Sequence, residues 1–269
     1  MLRKGDLTQG GITGTLLHFT LPMLVGSFLQ QCYNIADTLI VGQCIGAGAL
    51  AAVGSAYTLM VFLISVLLGL AMGSGTVFSL HYGAGNYVAL RRSIFSSFAL
   101  IGIVTLILNV AVFIWLDPIL RLLQVPQDIY GMMHSYLWII FCGIVFTFIY
   151  NFYASLLRAV GDSVTPLWFL AVSVVLNIAL DLFFILQLDW GIQGAAAATV
   201  LAQGVAALGI IIYTYRRRPE LRWHHEDMCF DRTCLKEIAS FSTLTCVQQS
   251  VMNLGILMIQ GLVNSFGTA

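Results

Sequence analysis

Polar residues punctuate this chain in blocks. Apolar stretches near 15–41, 50–79, 94–116, 133–157, 166–188, 192–215 and 238–263 are each long enough to cross a hydrocarbon core about 30 Å thick with roughly 20 helical residues. They predict seven helices. Runs such as VFLISVLLGLAMG and IGIVTLILNVAVFIWL are apolar on every face, whereas a barrel strand alternates in polarity. Helices are therefore the expected way to satisfy the backbone in lipid. The one long polar connection, RRRPELRWHHEDMCFDRTCLKE at 216–237, separates six helices from the seventh.

Composition agrees with an all-α polytopic membrane protein. The 269 residues are 59% hydrophobic and 9% charged, with mean hydropathy +0.92, where a soluble domain spends about a quarter of its residues on charge. The first apolar run follows a basic start, MLRKGDLTQGG, but is too long for a signal peptide and carries Asp37, so it is expected to remain in the mature protein. Formal net charge is zero; the placement of the basic residues is more informative. With the N-terminus inside, cytoplasmic segments hold Arg3, Lys4, Arg91, Arg92, Arg158, Arg216, Arg217, Arg218, Arg222, Arg232 and Lys236, and external segments only Arg121. The positive-inside rule thus predicts a multi-pass protein of the cell (inner) membrane with a cytoplasmic N-terminus. Cys32, Cys44, Cys142 and Cys246 lie in or beside apolar runs, Cys229 and Cys234 in the cytoplasmic loop, and no disulfide is expected.

Transporter folds are often built from repeated lobes. Shifting the first helix by 219 positions aligns Gln30, Asn34, Gly42 and Gly48 with Gln249, Asn253, Gly261 and Gly267. The expected organisation is a six-helix lobe over 1–215, an inter-lobe loop over 216–237, and over 238–269 the first helix of a second lobe that is cut short.

A carboxylate at helix depth costs about 2.5–3.5 kcal/mol on insertion scales, so one that persists faces a bundle interior or an aqueous cavity. Asp37 and Asp181 are the acidic residues within the apolar spans. Gln30, Tyr33, Asn34 and Asp37 recur at i, i+3, i+4 and i+7, and Asn177 and Asp181 at i, i+4, so each aspartate shares a helix face with polar neighbours. At 1.5 Å per residue, Asp37 lies about 6 Å before the external end of its helix and Asp181 about 10 Å before Leu188; Thr199, on a helix running inward, reaches a similar depth. Two carboxylates and neutral oxygens in a dry layer suit a proton or Na⁺; the plainer reading is that each Asp simply accepts hydrogen bonds that stiffen the bundle. Pro22 removes a backbone hydrogen bond from the first helix and, with Gly26, permits a bend, which a static kink would explain equally well.

LPMLVGSFLQQCYNIADTLIVGQCIGAGALAAVG, HYGAGN, NFYASLLRAVGDSVTP and the pair NIALDLFF and GIQGAAAATVLAQ, taken in that order, resemble the multidrug and toxic compound extrusion (MATE) family, of the MOP superfamily. The resemblance covers nearly the whole chain but only the first lobe of a two-lobe fold. It implies a secondary antiporter, not an enzyme, exporting amphipathic, often cationic drugs or toxins against H⁺ or Na⁺, with no other cofactor. It also implies cation-binding roles for Asp37, Asn151, Asn177, Asp181 and Thr199; Asn151 fits the depth estimate only if the fourth helix is long or bent. Some branches use an acidic residue on the seventh helix, where this chain has Gln248 and Gln249. A full transporter is expected to need the missing second lobe or another copy.

Two other functions compete. A flippase for a lipid-linked saccharide or peptidoglycan precursor would need cations inside the bundle to meet a pyrophosphate, and no Arg or Lys lies in the seven spans except at their cytoplasmic edges. A metal-binding sensor or membrane enzyme would draw on His224, His225, Glu226, Cys229 and Cys234, whose spacing matches no standard zinc pattern. His18 and His134 stand at helix starts, no hydrolase or metalloprotease motif is present, and no Walker-type loop points to ATP. The Arg216–Arg218 run reads as a topology anchor touching anionic lipid; no nucleic-acid partner is expected.

Overall fold

In a computed structural model, residues 12–122, 125–223 and 232–265 are described. They form helices throughout, with no strand among them. The elements are α1 (Ile12–Cys44), α2 (Ala47–Gly83), α3 (Tyr87–Leu122), α4 (Gln127–Cys142), α5 (Ile144–Ala159), α6 (Val164–Leu182), α7 (Gly191–Arg217) and α8 (Arg232–Ser265). A π-helical turn, Phe183–Gln187, extends α6, and a 3₁₀ turn, Pro219–Leu221, follows α7.

Six of the seven expected spans are single elements, and the fourth is two. Its halves α4 and α5 meet at an angle of 47° at Gly143, where a Cβ would lie 2.4 Å from Val200 Cγ2. A side chain there would collide with α7, so glycine lets the broken helix lie against it. Among the described residues, α2, α3, α6 with its π turn, and α7 are long and apolar enough to cross a membrane, and a fifth span arises if α4 and α5 count as one. α1 and α8, of 33 and 34 residues, have the length and carry more polar residues. Gln30, Gln31, Asn34 and Asp37 dilute the first; Lys236, Glu237, Gln248 and Gln249 dilute the second.

Short polar turns join the helices. Gly85 adopts φ +67°, the left-handed region glycine enters at no steric cost, and Asn86 Oδ1 then accepts Ala89 N–H at 3.1 Å to start α3. Asp162 does the same for α6, accepting Thr165 N–H at 3.0 Å and its hydroxyl at 2.9 Å; capping of this kind contributes about 1 kcal/mol.

The core is largest where α2, α3, α5 and α7 meet, around Phe78, Phe98, Phe148 and Phe152. Trp223, just past the 3₁₀ turn, adds its ring to that cluster, with centroids 5.5 Å from Phe98 and 6.2 Å from Phe95. Val77, Cys234 and Ile238 make a second, smaller core that seats α8 on α2. Along this seam Gly69 and Gly73 bring the backbones together: an added Cβ would lie 2.9 Å from Cys246 Cα and 2.4 Å from Ser242 Cα. Small residues four apart are the usual device for close packing in lipid, where apolar burial against lipid drives nothing. Leu21, Phe28, Ile107, Ile114, Trp168 and Val175 are exposed, as expected of lipid-facing positions in a multi-pass protein.

Candidate cation site

Three helices carry the expected polar residues to one point. α6 packs against both α1 and α7, bringing together Asp37 on α1, Asn177 and Asp181 on α6, and Thr199 on α7, all buried. α7 can approach because its first turns are small: Gly194, Ala195, Ala196 and Ala198 are buried, and a Cβ at Gly194 would already press on Phe184 Cβ at 3.0 Å. The π turn begins two residues after Asp181. Such wide turns often occur at functional sites because they shift one helical face by a residue.

The carboxyl groups of Asp37 and Asp181 are neighbours, close enough to act directly on one another. With its amide turned to satisfy both ends, Asn177 donates to Asp181 Oδ2 at 2.9 Å and accepts from Thr199 N–H at 3.2 Å; in the opposite orientation it donates to Thr199 Oγ1 at 3.3 Å. Tyr33 and Thr199 share a hydrogen bond of 3.3 Å. Tyr136 of α4 is buried within electrostatic reach of Asp37, Asp181 and Tyr33. Asp37 Oδ1 and Asp181 Oδ1 are both buried without a hydrogen-bond partner. Two carboxyl groups this close, away from water, need a proton or cation between them.

The remaining expected residues stand apart. Asn34 donates to Gln31 Oε1 at 3.1 Å and Gln30 is exposed, so the polar stripe of α1 divides, with Tyr33 and Asp37 facing the site. Asn151 donates to Thr147 O, at 2.8 Å, within α5. The Thr147 hydroxyl donates to Gln203 Oε1, and Gln203 lies one turn beyond Thr199 on α7. α1 runs unbroken through Pro22; Gly26 faces Leu167 of α6, where a Cβ would make an ordinary 3.6 Å contact. Sequence reasoning missed Gln203, although its i+4 spacing from Thr199 marked the same face, and Tyr136, which has no polar residue at i±4 to mark its face. Of the loop residues considered for metal, His224, His225, Glu226 and Cys229 lie outside the described residues. Cys234 is buried, its Sγ accepting from Ser93 Oγ at 3.5 Å. In the repeat comparison, the Asn253 side chain and Gly267 also lie outside them; Gln249 donates to Met72 Sδ at 3.6 Å.

A family model, MatE, matches residues 22–183, which include Asp37, Asn177 and Asp181. The chain belongs to the MATE family. This MATE chain is 32% identical over 273 residues to the probable multidrug resistance protein YpnP of Bacillus subtilis, covering 99% of the chain and 59% of YpnP. It is 31% identical over 210 residues to the multidrug export protein MepA of Staphylococcus saprophyticus, covering 75% and 45%. Its fold superposes on a multidrug resistance MATE transporter of the MOP superfamily, solved in an outward-facing conformation, with TM-score 0.91 and 24% identity over 99% of this chain and 59% of that one. The MATE chain therefore spans less than two thirds of the length of these relatives.

Proposed function

We propose that this chain forms the first lobe of a secondary antiporter that exports amphipathic, often cationic compounds in exchange for H⁺, with Asp37 and Asp181 as the coupling pair. The observation that carries the reading is the closeness of two carboxyl groups from distant helices in a buried layer. Asn177, Thr199 and Tyr33 surround the pair as neutral donors, and Asn151, bonded within α5 to Thr147, would stand further out. The names of the relatives supply the substrate class.

H⁺ is favoured over Na⁺. A hard cation collects several oxygens, whereas the Thr199 hydroxyl is already shared with Tyr33; a proton needs only the two carboxyls. Protonation from outside would relieve their repulsion and draw α1 toward α6, and the state so favoured would hold the exported compound less tightly. The distribution of basic residues supports a cytoplasmic N-terminus in the cell membrane. The relatives are longer, so a second lobe, covalently attached or from another copy, would complete the alternating-access interface.

Asp37→Asn is expected to reach the membrane in normal amount and to lose pH-gradient-driven dye efflux; normal efflux would remove Asp37 from the mechanism. Efflux driven by a Na⁺ gradient at constant pH would transfer the site from H⁺ to Na⁺.

A further inference from the structure

A cavity of about 550 Å³ opens between α4 and α7, at the end of the bundle where α7 begins. It is lined by Ile139, Asp189, Trp190, Ile192, Gln193 and Ala197, none of which belongs to the Asp37–Asp181 cluster. Three features give it a chemistry.

The first is Asp189, which has φ +54° and is, among the described residues, the only non-glycine with positive φ. The conformation is imposed by closure of the chain reversal on both sides: Leu188 N–H bonds Phe183 O at 3.3 Å and Trp190 N–H bonds Phe184 O at 3.1 Å. Aspartate is one of the few non-glycine residues that enter this region readily, so the reversal presents a carboxylate at the mouth of the cavity. The Asp189 side chain is exposed and has no partner among the described residues. The second is Trp190, stacked on Phe184 with centroids 5.1 Å apart and planes at 25°. It remains 52% exposed, so one indole face is covered and the other is open. The third is the apolar wall of Ile139, Ile192 and Ala197.

A fixed carboxylate beside an open aromatic face and an aliphatic wall selects a cation with an apolar body. Anions are repelled by Asp189, whose full charge outweighs the half-charge at the amino end of α7. A small hydrated cation gains nothing from the wall. Anchoring at the membrane interface would account for Trp190 but not for the carboxylate next to it.

We propose that this cavity is a binding site for amphipathic organic cations, separate from the coupling pair, in which Asp189 supplies the charge and Trp190 the stacking face. The proposal rests on the exporter reading for its biological sense, and the orientation argued above makes it the site at which cations are met or released outside. Free cations and the quaternary ammonium of a lipid headgroup share this chemistry.

The test is equilibrium binding of tetraphenylphosphonium to the chain in nanodiscs of phosphatidylglycerol and phosphatidylethanolamine. Asp189→Asn, isosteric and tolerant of positive φ, is expected to weaken binding roughly fivefold, and Trp190→Leu to weaken it similarly. Unchanged affinity in Asp189→Asn overturns the proposal whatever Trp190→Leu does. Phosphatidylcholine in the nanodisc that displaces the probe from wild type but not from Asp189→Asn would assign the site to a headgroup and overturn the free-cation assignment. Parallel assays of pH-driven efflux separate the two readings. Efflux with Asp189-independent binding sinks this site alone, and Asp189-dependent binding without efflux sinks only the exporter reading.

Discussion

The phenol of Tyr33 and the hydroxyl of Thr199, 166 positions apart, meet at 3.3 Å. Thr199 thereby ties α1 to α6 and α7, since its backbone and side chain also serve Asn177. Thr199→Val keeps the shape and removes the hydroxyl. Interhelical hydrogen bonds in membrane proteins average about 0.6 kcal/mol, so the thermal midpoint should fall only about 1–2 °C. Efflux driven by a pH gradient should fall severalfold, with an altered pH profile, and Thr199→Ser should restore it. Loss of stability and activity in proportion would make Thr199 a packing residue.

The seam between α2 and α8 predicts an asymmetry among glycines. A Cβ at Gly73 would lie 2.4 Å from Ser242 Cα and 2.6 Å from its nitrogen, and backbone cannot swing aside. Gly73→Ala should therefore cost about 1–3 kcal/mol, as overpacking does, and raise the reactivity of Cys246 toward a thiol reagent. At Gly48 of the same helix the nearest atom is Met132 Cε at 3.8 Å. There alanine should be neutral or stabilise by up to about 1 kcal/mol through helix propensity. Thermal unfolding of the two variants in one detergent checks both outcomes.

The segment after α7 is fastened to the helices before it. Leu221 is 3% exposed, Arg222 Nε donates to Tyr215 O at 2.5 Å, and Arg218 pairs with Asp162 at 3.4 Å. Trp223→Ala removes a half-buried ring from the aromatic core and should cost about 2 kcal/mol, less than the 3–5 kcal/mol of a fully buried tryptophan. A shift in thermal midpoint under 1 °C would mean that the ring is ornamental.

The spans and the aspartates could be read directly because both depend on transfer energies. Twenty apolar residues have few alternatives to a membrane helix, and a carboxylate at that depth needs a reason. Asn177 and Tyr33 followed from the i±4 rule. Gln30 and Asn34 were placed by the same rule on Asp37's face, but they form their own row, rotated about 60° from that of Tyr33 and Asp37, and it is the Tyr33–Asp37 row that faces α6. The bend at Gly143 depends on Val200 pressing from another helix, and the left-handed Asp189 on closure of the π turn. Neither leaves a local trace. Tyr136 joins the carboxylates only because α4 packs against α7, a tertiary fact.

The close seat of α8 on α2 also has a consequence for biosynthesis. Ser242 Oγ donates to Leu70 O, at 3.3 Å, from 172 positions downstream. At about 5–20 residues per second, roughly ten to thirty seconds separate the emergence of the two partners from the ribosome. For that interval the furrow along Gly69 and Gly73 is open to whatever surrounds the nascent bundle. Its backbone is already bonded within its own helix, so what a stray segment could capture there is limited to spare carbonyl lone pairs such as that of Leu70 O, which Ser242 later occupies.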